Sequence, residues 1–186
     1  MFRQMRWLAA LVALAVTVDS ARAQGHRHKF SIAGSGTATH VPLDGSSVSH
    51  PSIGVGTFIG LHHGSGDYRT VSFNPADLTF TFESAETYTF TARNGDKLVC
   101  TYGQGPLGPG MGFATPLPDG TVNAVFLAEF NPVGSECTGR FANASGSFLM
   151  LAFSTKSFVP ANSPGPGTRL QYSWVGSGTL TFPGGG

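Results

Sequence analysis

The sequence predicts an all-β protein, a single antiparallel β-barrel of about eight strands, with an open β-sandwich as the alternative. Two long segments, residues 29–40 and 169–182, alternate between apolar and polar side chains, which is the period of a strand with one buried face. The motif Gly-Ser-Gly-Thr recurs at the same place within both segments, at residues 34–37 and 176–179. The chain also holds 26 glycines and 12 prolines, and such frequent breakers are typical of many short strands joined by turns.

The repeated glycines predict how the barrel closes. Paired glycines on the inward face of a long strand allow a sheet to bend sharply, as small barrels require. Because the first and last strands carry matching bends, we expect residues 29–40 and 169–182 to pair with each other and seal the barrel. A sandwich would not need both bends.

The sequence predicts the register of one hairpin, that is, which residues of its two strands lie opposite each other. Residues 93–95, Arg-Asn-Gly, have the composition of a three-residue hairpin loop with glycine in the left-handed conformation. This loop places Phe90 opposite Leu98 and Tyr88 opposite Cys100. It keeps the apolar side chains of the two strands on one face, whereas a two-residue loop would mix the faces.

The first 23 residues have the pattern of a secretory signal peptide. Two arginines precede a 12-residue apolar run, residues 7–18, and residues 21–23 form a small-x-small cleavage site. A run of that length is too short to cross a bilayer of about 30 Å as a helix, so we expect no membrane span. The chain therefore divides into a signal peptide, residues 1–23, and one barrel domain, residues 24–186. We expect a secreted or periplasmic protein after cleavage near Ala23.

The composition of the domain restricts its partners. Without the first 23 residues the chain has 8 basic and 9 acidic residues, and no basic stripe of the kind that a nucleic-acid binder needs is visible. The sequence contains no Gly-x-Ser-x-Gly, His-Glu-x-x-His or phosphate-loop motif. It therefore identifies no catalytic residue, cofactor or metal ligand, and it does not specify an oligomeric state.

The two cysteines, Cys100 and Cys137, predict a disulfide. A chain that is exported to an oxidising compartment with only two cysteines normally pairs them. Two free thiols are the alternative.

Residues 137–148 read Cys-Thr-Gly-Arg-Phe-Ala-Asn-Ala-Ser-Gly-Ser-Phe. This segment resembles the Gly-Thr-Gly-Arg-Phe-x-x-Ala-x-Gly signature of the dirigent and allene oxide cyclase-like barrels. Secreted bacterial proteins have similar segments. The turn at residues 94–96, which follows a strand that alternates Thr and Phe, resembles a turn of that secreted group. The resemblance implies an eight-stranded antiparallel barrel of the calycin-like type. It implies no function, because no catalytic residue of the cyclases or dirigents can be placed on a position of this chain.

Three residues are candidates for contact with a ligand. When the first strand is superposed on the last, His40 falls where the last strand has Phe182, which predicts an inward-facing histidine near one end of the barrel. There it would either be packed against the core or line the mouth of a pocket. Tyr172 and Trp174 share the apolar face of the last strand and complete the candidate ligand-binding set.

We interpret the other notable polar residues as solvent-exposed or structural. The N-terminus that cleavage would leave, residues 24–26, has the donors of a Cu(II) site, but a polar tail is the simpler interpretation. His62 and His63 are interpreted as solvated loop residues, because neighbours on a strand point to opposite faces and could not bind one metal. Arg140 would brace its turn by hydrogen bonds to backbone carbonyls. Asn143 begins a glycosylation sequon, which matters only in a eukaryotic source.

The leading hypothesis is therefore a secreted, non-enzymatic barrel that binds a small apolar molecule or has a surface or structural role. The alternatives are a cofactor-free isomerase or cyclase of the allene oxide cyclase-like type and a metal-handling periplasmic protein. The barrel interior distinguishes them. A cavity of about 300 Å³ or more with convergent polar groups favours a ligand or substrate, and a filled interior favours a structural role.

Overall fold

A computed structural model describes residues 25–42, 44–156 and 170–183. The predicted signal peptide and the first residue of the hypothetical copper site, Gln24, lie outside the described residues. Within the described part of the chain, no helix is long and apolar enough to cross a membrane.

The described residues form twelve β-strands and one 3-10 turn, Gly139–Phe141, and all strand pairs are antiparallel. The all-β prediction is confirmed. The strands are β1 His26–Ala38, β2 Ser47–Ser49, β3 Ser52–Gly56, β4 Gly60–Ser65, β5 Asp67–Asn74, β6 Thr79–Ser84, β7 Tyr88–Ala92, β8 Lys97–Tyr102, β9 Gly110–Pro116, β10 Val122–Pro132, β11 Ser145–Ser154 and β12 Leu170–Phe182.

Eight of these strands close into a barrel in the order β1-β3-β4-β7-β8-β10-β11-β12. The open-sandwich alternative is therefore wrong. The other four strands extend from β10 in the order β9, β6, β5, β2. β10 can serve both parts because it is long: residues 122–127 pair with β9, and residues 130–132 pair with β8.

The seam between β1 and β12 closes the barrel, as the sequence predicts. The two strands pair along their whole length, from His26 opposite Phe182 to Ala38 opposite Leu170. In this register each inward-facing glycine of one strand lies opposite a large side chain of the other. The pairs are Gly34 with Trp174, Gly36 with Tyr172, Ile32 with Gly176 and Phe30 with Gly178.

The glycines leave space that these side chains occupy. A Cβ on Gly34 would lie 2.6 Å from Cζ2 of Trp174, closer than real contacts allow. A Cβ on Gly36 would collide with the hydroxyl of Tyr172 and with the carbonyl of Pro51. The repeated motif is therefore needed for packing across the seam as well as for bending the sheet.

The hairpin prediction is also confirmed. β7 and β8 pair with Phe90 opposite Leu98 and Tyr88 opposite Cys100. Gly95 has a φ of 90°, the left-handed conformation that glycine adopts readily, and its N–H donates to the carbonyl of Ala92 at 2.9 Å.

The predicted disulfide is wrong, because Cys100 and Cys137 are both free and buried. Cys137 Sγ lies beside the backbone of Val99, where it accepts a hydrogen bond from the N–H at 3.3 Å and donates to the carbonyl at 3.4 Å. Cys100 alternates with Leu98 and Tyr102, all of which are fully buried. Cys137 thus lies against the backbone of β8 at Val99, and it is near enough to Cys100 to contribute to the rise in the pKa of that thiol.

We expect two reactive thiols per chain when the protein is unfolded without reductant, and none in the native protein. Burial raises the pKa of both thiols and shields them, and the thiolate is the reactive form. Titration with a chromogenic thiol reagent measures both counts, with a previously reduced and desalted sample as the control. Fewer than two thiols in denaturant would contradict the free-thiol structure.

The close packing at Gly36 in the seam leads to a second prediction. Gly36→Ala should destabilise the protein by about 1–3 kcal/mol, because the added methyl group overpacks the site. It should also change the near-ultraviolet circular dichroism of the tyrosines, since Tyr172 must move. The matched control is Ser35→Ala, one residue away on the exposed face, which should change the stability by less than about 0.5 kcal/mol. Equal effects of the two variants in urea unfolding would refute the packing role of Gly36.

Candidate functional site

All four tyrosines of the chain meet around His50 at one end of the barrel. His50 lies in the link between β2 and β3, and the tyrosines come from β5, β7, β8 and β12. Their ring centroids lie between 4.6 and 6.1 Å from that of His50. We call this group the tyrosine cluster; its members are His50, Tyr68, Tyr88, Tyr102 and Tyr172.

The imidazole of His50 is held on several sides by the cluster. It stacks on Tyr88 with 4.6 Å between ring centroids, and Tyr68 meets it edge-on at 5.3 Å. Nε2 lies 2.8 Å from the hydroxyl of Tyr102, and Nδ1 lies 3.5 Å from the hydroxyl of Tyr172. Both ring nitrogens therefore face tyrosine hydroxyls.

The backbone of His50 is fixed as well. Its N–H donates to the carbonyl of Gly66 at 3.0 Å. Its carbonyl accepts hydrogen bonds from the hydroxyls of Tyr172 at 2.7 Å and Tyr88 at 3.2 Å. These bonds clamp the β2–β3 link across the end of the barrel.

The tyrosine cluster carries no charge at neutral pH. Burial lowers the pKa of His50 to about 3, so the imidazole is neutral. Burial also raises the pKa of Tyr88 to about 12, and it raises the pKa values of Tyr68, Tyr102 and Tyr172. Four phenols and one neutral imidazole thus form a polar but uncharged surface.

A cavity of about 70 Å³ lies beside the cluster. It opens toward solvent, since His50, Tyr172 and Met150 in its wall remain partly exposed. The volume is several times that of one water molecule and well below the 300 Å³ or so that the sequence-based hypothesis sets for a ligand or substrate pocket. Most of the barrel interior is filled by buried side chains, so any ligand of this cavity must be much smaller than a drug molecule. The polar wall is His50, Tyr68, Tyr102 and Tyr172. The apolar wall is Ala38, Phe82, Phe126, Phe130, Met150, Ala152 and Leu170.

The three sequence-predicted candidates occupy different places. Tyr172 lines the cavity. Trp174 is buried farther along β12, with its ring 5.9 Å from His62 and 6.2 Å from Phe90, and does not line it. His40 also lies outside the lining.

His40 follows the end of β1 by two residues, because the strand stops at Ala38 and the alternation does not reach the histidine. Its side chain is half-buried, and its Nδ1 lies 3.0 Å from the hydroxyl of Thr39. Its contribution to the cluster is its backbone carbonyl, which accepts a hydrogen bond from the hydroxyl of Tyr68 at 3.1 Å.

Sequence reasoning missed His50, Tyr68 and Tyr102. They lie on different elements, and nothing local in the sequence brings them together. One signal was available: tyrosine is rare in this chain, yet Tyr68, Tyr88 and Tyr102 each occupy a buried position of an alternating strand. Buried tyrosines need partners for their hydroxyls, which points to a shared polar site.

The interpretation of His62 as a solvated loop residue is wrong. His62 and His63 lie within β4, where His63 is exposed and His62 is fully buried. The Nδ1 of His62 lies 3.1 Å from the carbonyl of Gly60, its Nε2 has no hydrogen-bond partner among the described residues, and burial lowers its pKa. The period of two accounts for the difference, since adjacent strand residues face opposite sides.

Arg140 braces the opposite part of the structure. Its Nη1 donates to the carbonyl of Phe58 at 3.0 Å, and its Nε donates to the carboxylate of Asp96 at 2.8 Å. It therefore ties the 3-10 turn to the β7–β8 hairpin and to the β3–β4 link. Arg140 does bond a backbone carbonyl, but that carbonyl belongs to the β3–β4 link rather than to the turn around Arg140, and the bond to Asp96 was not predicted.

The chemistry that the cluster offers is hydrogen bonding. Proton transfer is most effective when the pKa of the acid or base lies near the working pH, and burial moves the pKa values of His50 and the tyrosines away from neutrality. Within the described ranges, no group of three His, Cys, Asp or Glu side chains could hold a metal ion.

No protein-family model, curated protein or solved structure matches this chain.

The buried imidazole makes stability depend on pH. In the unfolded chain His50 has a pKa near 6.5. Below that pH the imidazole is protonated in the unfolded state but stays neutral in the folded state. The contribution of His50 to stability should be constant above about pH 7.5 and should fall below pH 6.5, by at most about 1.4 kcal/mol per pH unit. The loss should level off only as the pH reaches about 3.

Urea unfolding between pH 7.5 and 4.5 measures this dependence. His50→Gln should reduce the slope but leave part of it, because burial also lowers the pKa of His62, and the exposed control His63→Gln should keep the slope of the unsubstituted protein. An unchanged slope in His50→Gln would show that His50 is not the group responsible.

Proposed function

We propose that this protein is a secreted, non-enzymatic barrel that binds a small, mainly apolar molecule in the cavity beside His50. The observation that carries the proposal is the composition of the cavity wall, which combines seven apolar residues with four polar, uncharged ones. Ligand sites in proteins have this composition, a mainly apolar lining with a few polar groups that fix the orientation of the ligand.

The energetics of the void support a ligand. The apolar lining loses dispersion contacts on one side. A molecule that fills the space restores those contacts.

The pKa values favour binding over catalysis by a cofactor-free isomerase or cyclase. Such an enzyme would need an acid or base that exchanges protons near neutrality, whereas burial brings the pKa of His50 to about 3 and that of Tyr88 to about 12. Positioning of a ligand by neutral hydrogen bonds needs neither group to change its protonation state.

We further propose export and kinship from the two sequence patterns. The signal-peptide pattern of residues 1–23 supports a secreted or periplasmic location. The segment 137–148 and the closed eight-stranded antiparallel barrel support a relation to the calycin-like barrels of the allene oxide cyclase and dirigent group.

Binding can be tested with xenon, an uncharged apolar atom that is small enough for a cavity of about 70 Å³. We expect saturable changes in the amide resonances of Tyr102, Ala152 and Tyr172 in a nuclear magnetic resonance titration. Ala152→Leu adds three carbon atoms to the cavity wall and should abolish these changes. The matched control is Ala33→Leu, the same substitution in β1 at a residue that does not line the cavity. This variant should show the same resonance changes as the unsubstituted protein. Absence of binding, or binding that survives Ala152→Leu, would overturn the proposal.

A further inference from the structure

The outer face of the barrel seam carries a row of apolar side chains that continues from strand to strand. Each member lies directly opposite the next, on the six neighbouring strands β3, β1, β12, β11, β10 and β9. In that order the members are Val55, Ala33, Val175, Leu151, Leu127 and Met111. Residues that are directly opposite on one face of a sheet have Cβ atoms about 4.5–5.5 Å apart, so the row is continuous.

A second row lies two residues further along each strand and points in the same direction. In the same strand order its members are Ile53, Ser35, Ser173, Phe153, Val125 and Phe113. We call the two rows together the seam face. It lies on the side of the sheet opposite to Trp174 and the other residues of the barrel core.

The seam face has a trough between two ridges. On the seam strands β1 and β12 its members are alanine or serine, with Val175 as the exception. Bulky side chains stand on both sides of these strands, Ile53 and Val55 on β3 and Leu151 and Phe153 on β11. The face therefore presents both a projection and a depression of similar length.

The exposed apolar area of the seam face is large for a monomer. Seven of its large side chains are between 37% and 62% exposed, which amounts to on the order of 600 Å² of surface, the upper limit for the largest apolar patch of a typical monomer. Ser31, Ser177 and Leu149 continue the face along the seam. With them the area approaches the roughly 800 Å² that each partner buries in a standard protein interface.

The charge of the seam face favours a second copy of the chain over a lipid surface. Neither row contains a charged residue, and the nearest charged residues on the same side of these strands, Lys29 and Glu129, have opposite signs. Membrane surfaces are bound by clusters of basic residues and by Trp and Tyr at the headgroup level. Here all four tyrosines and Trp174 belong to the barrel core or pack against it. Two uncharged faces can meet without repulsion and without burying a charge.

We propose that the protein is a homodimer in which the seam faces of two copies pack against each other about a two-fold axis. The β11 ridge of each copy lies in the trough of the other, so one patch supplies both complementary shapes, as a two-fold interface requires. Sheets that pack face to face interdigitate in this way at a separation of about 10 Å. This inference concerns the outside of the barrel and is independent of the ligand proposed for the cavity.

Sedimentation velocity of the native protein over a range of concentrations tests the dimer. We expect twice the mass of one chain at high concentration and dissociation with a Kd of about 10 µM or lower. A protein that remains monomeric at about 100 µM would overturn the inference.

Two substitutions locate the interface. Val175→Lys places a charge without a partner at the centre of the seam face and should raise the Kd at least about 30-fold. Phe153→Ser shortens the β11 ridge and should raise the Kd at least about tenfold. The matched control is Val71→Lys, the same substitution at a residue of β5 that is equally exposed, at 52%, and lies outside both rows. It should leave the Kd unchanged, and near-ultraviolet circular dichroism shows whether each variant is folded.

The remaining outcomes are each decisive. If Val175→Lys does not fold, the effect of Phe153→Ser alone decides. A dimer that survives the folded seam-face variants, or that Val71→Lys disrupts equally, contradicts the proposed interface. Flotation with phosphatidylcholine and phosphatidylglycerol vesicles is the final check, because a monomer that binds these vesicles would show that lipid covers the seam face instead of a second copy.

Discussion

The packing of large side chains against glycine across the β1–β12 seam is the constraint on which the rest of the structure depends. Two long strands can close a narrow barrel around aromatic rings only if each ring finds space on the facing strand. Gly34 provides that space for Trp174, and Gly36 provides it for Tyr172. Since the same vacancy at Gly36 lets the hydroxyl of Tyr172 reach the carbonyls of His50 and Pro51, closure of the barrel and assembly of the tyrosine cluster have one cause.

The tyrosine cluster also provides hydrogen-bond donors for the backbone of the link between β2 and β3 at the barrel end. A link that crosses a buried surface exposes backbone carbonyls that need partners. Here the carbonyls of His50 and Pro51 receive hydrogen bonds from the hydroxyl of Tyr172. The carbonyl of His40, in the neighbouring β1–β2 link, receives one from the hydroxyl of Tyr68. The phenolic hydrogens are used in bonds to the backbone, so the tyrosine rings line the cavity while their hydroxyls hold the barrel end together.

Burial gives the same cluster its neutrality. An aromatic surrounding with few polar groups disfavours charged forms, which lowers the pKa of His50 and raises those of the tyrosines. An uncharged, mainly apolar lining is compatible with the small apolar ligand proposed above, and hydrogen bonds from the tyrosine hydroxyls to the backbone hold the geometry of the lining.

By itself, the sequence determined the features whose cause is local or repeated along one strand. The alternation of residues 29–40 and 169–182 predicted the seam, and the turn at residues 93–95 predicted the β7–β8 register, because face parity and turn geometry act between near neighbours. Tertiary structure alone decided which side chains meet: Cys137 lies beside Val99 rather than bonding Cys100, and His50, rather than His40, lines the cavity. Such contacts depend on which distant strands become neighbours, and the period of two within one strand carries no information about that.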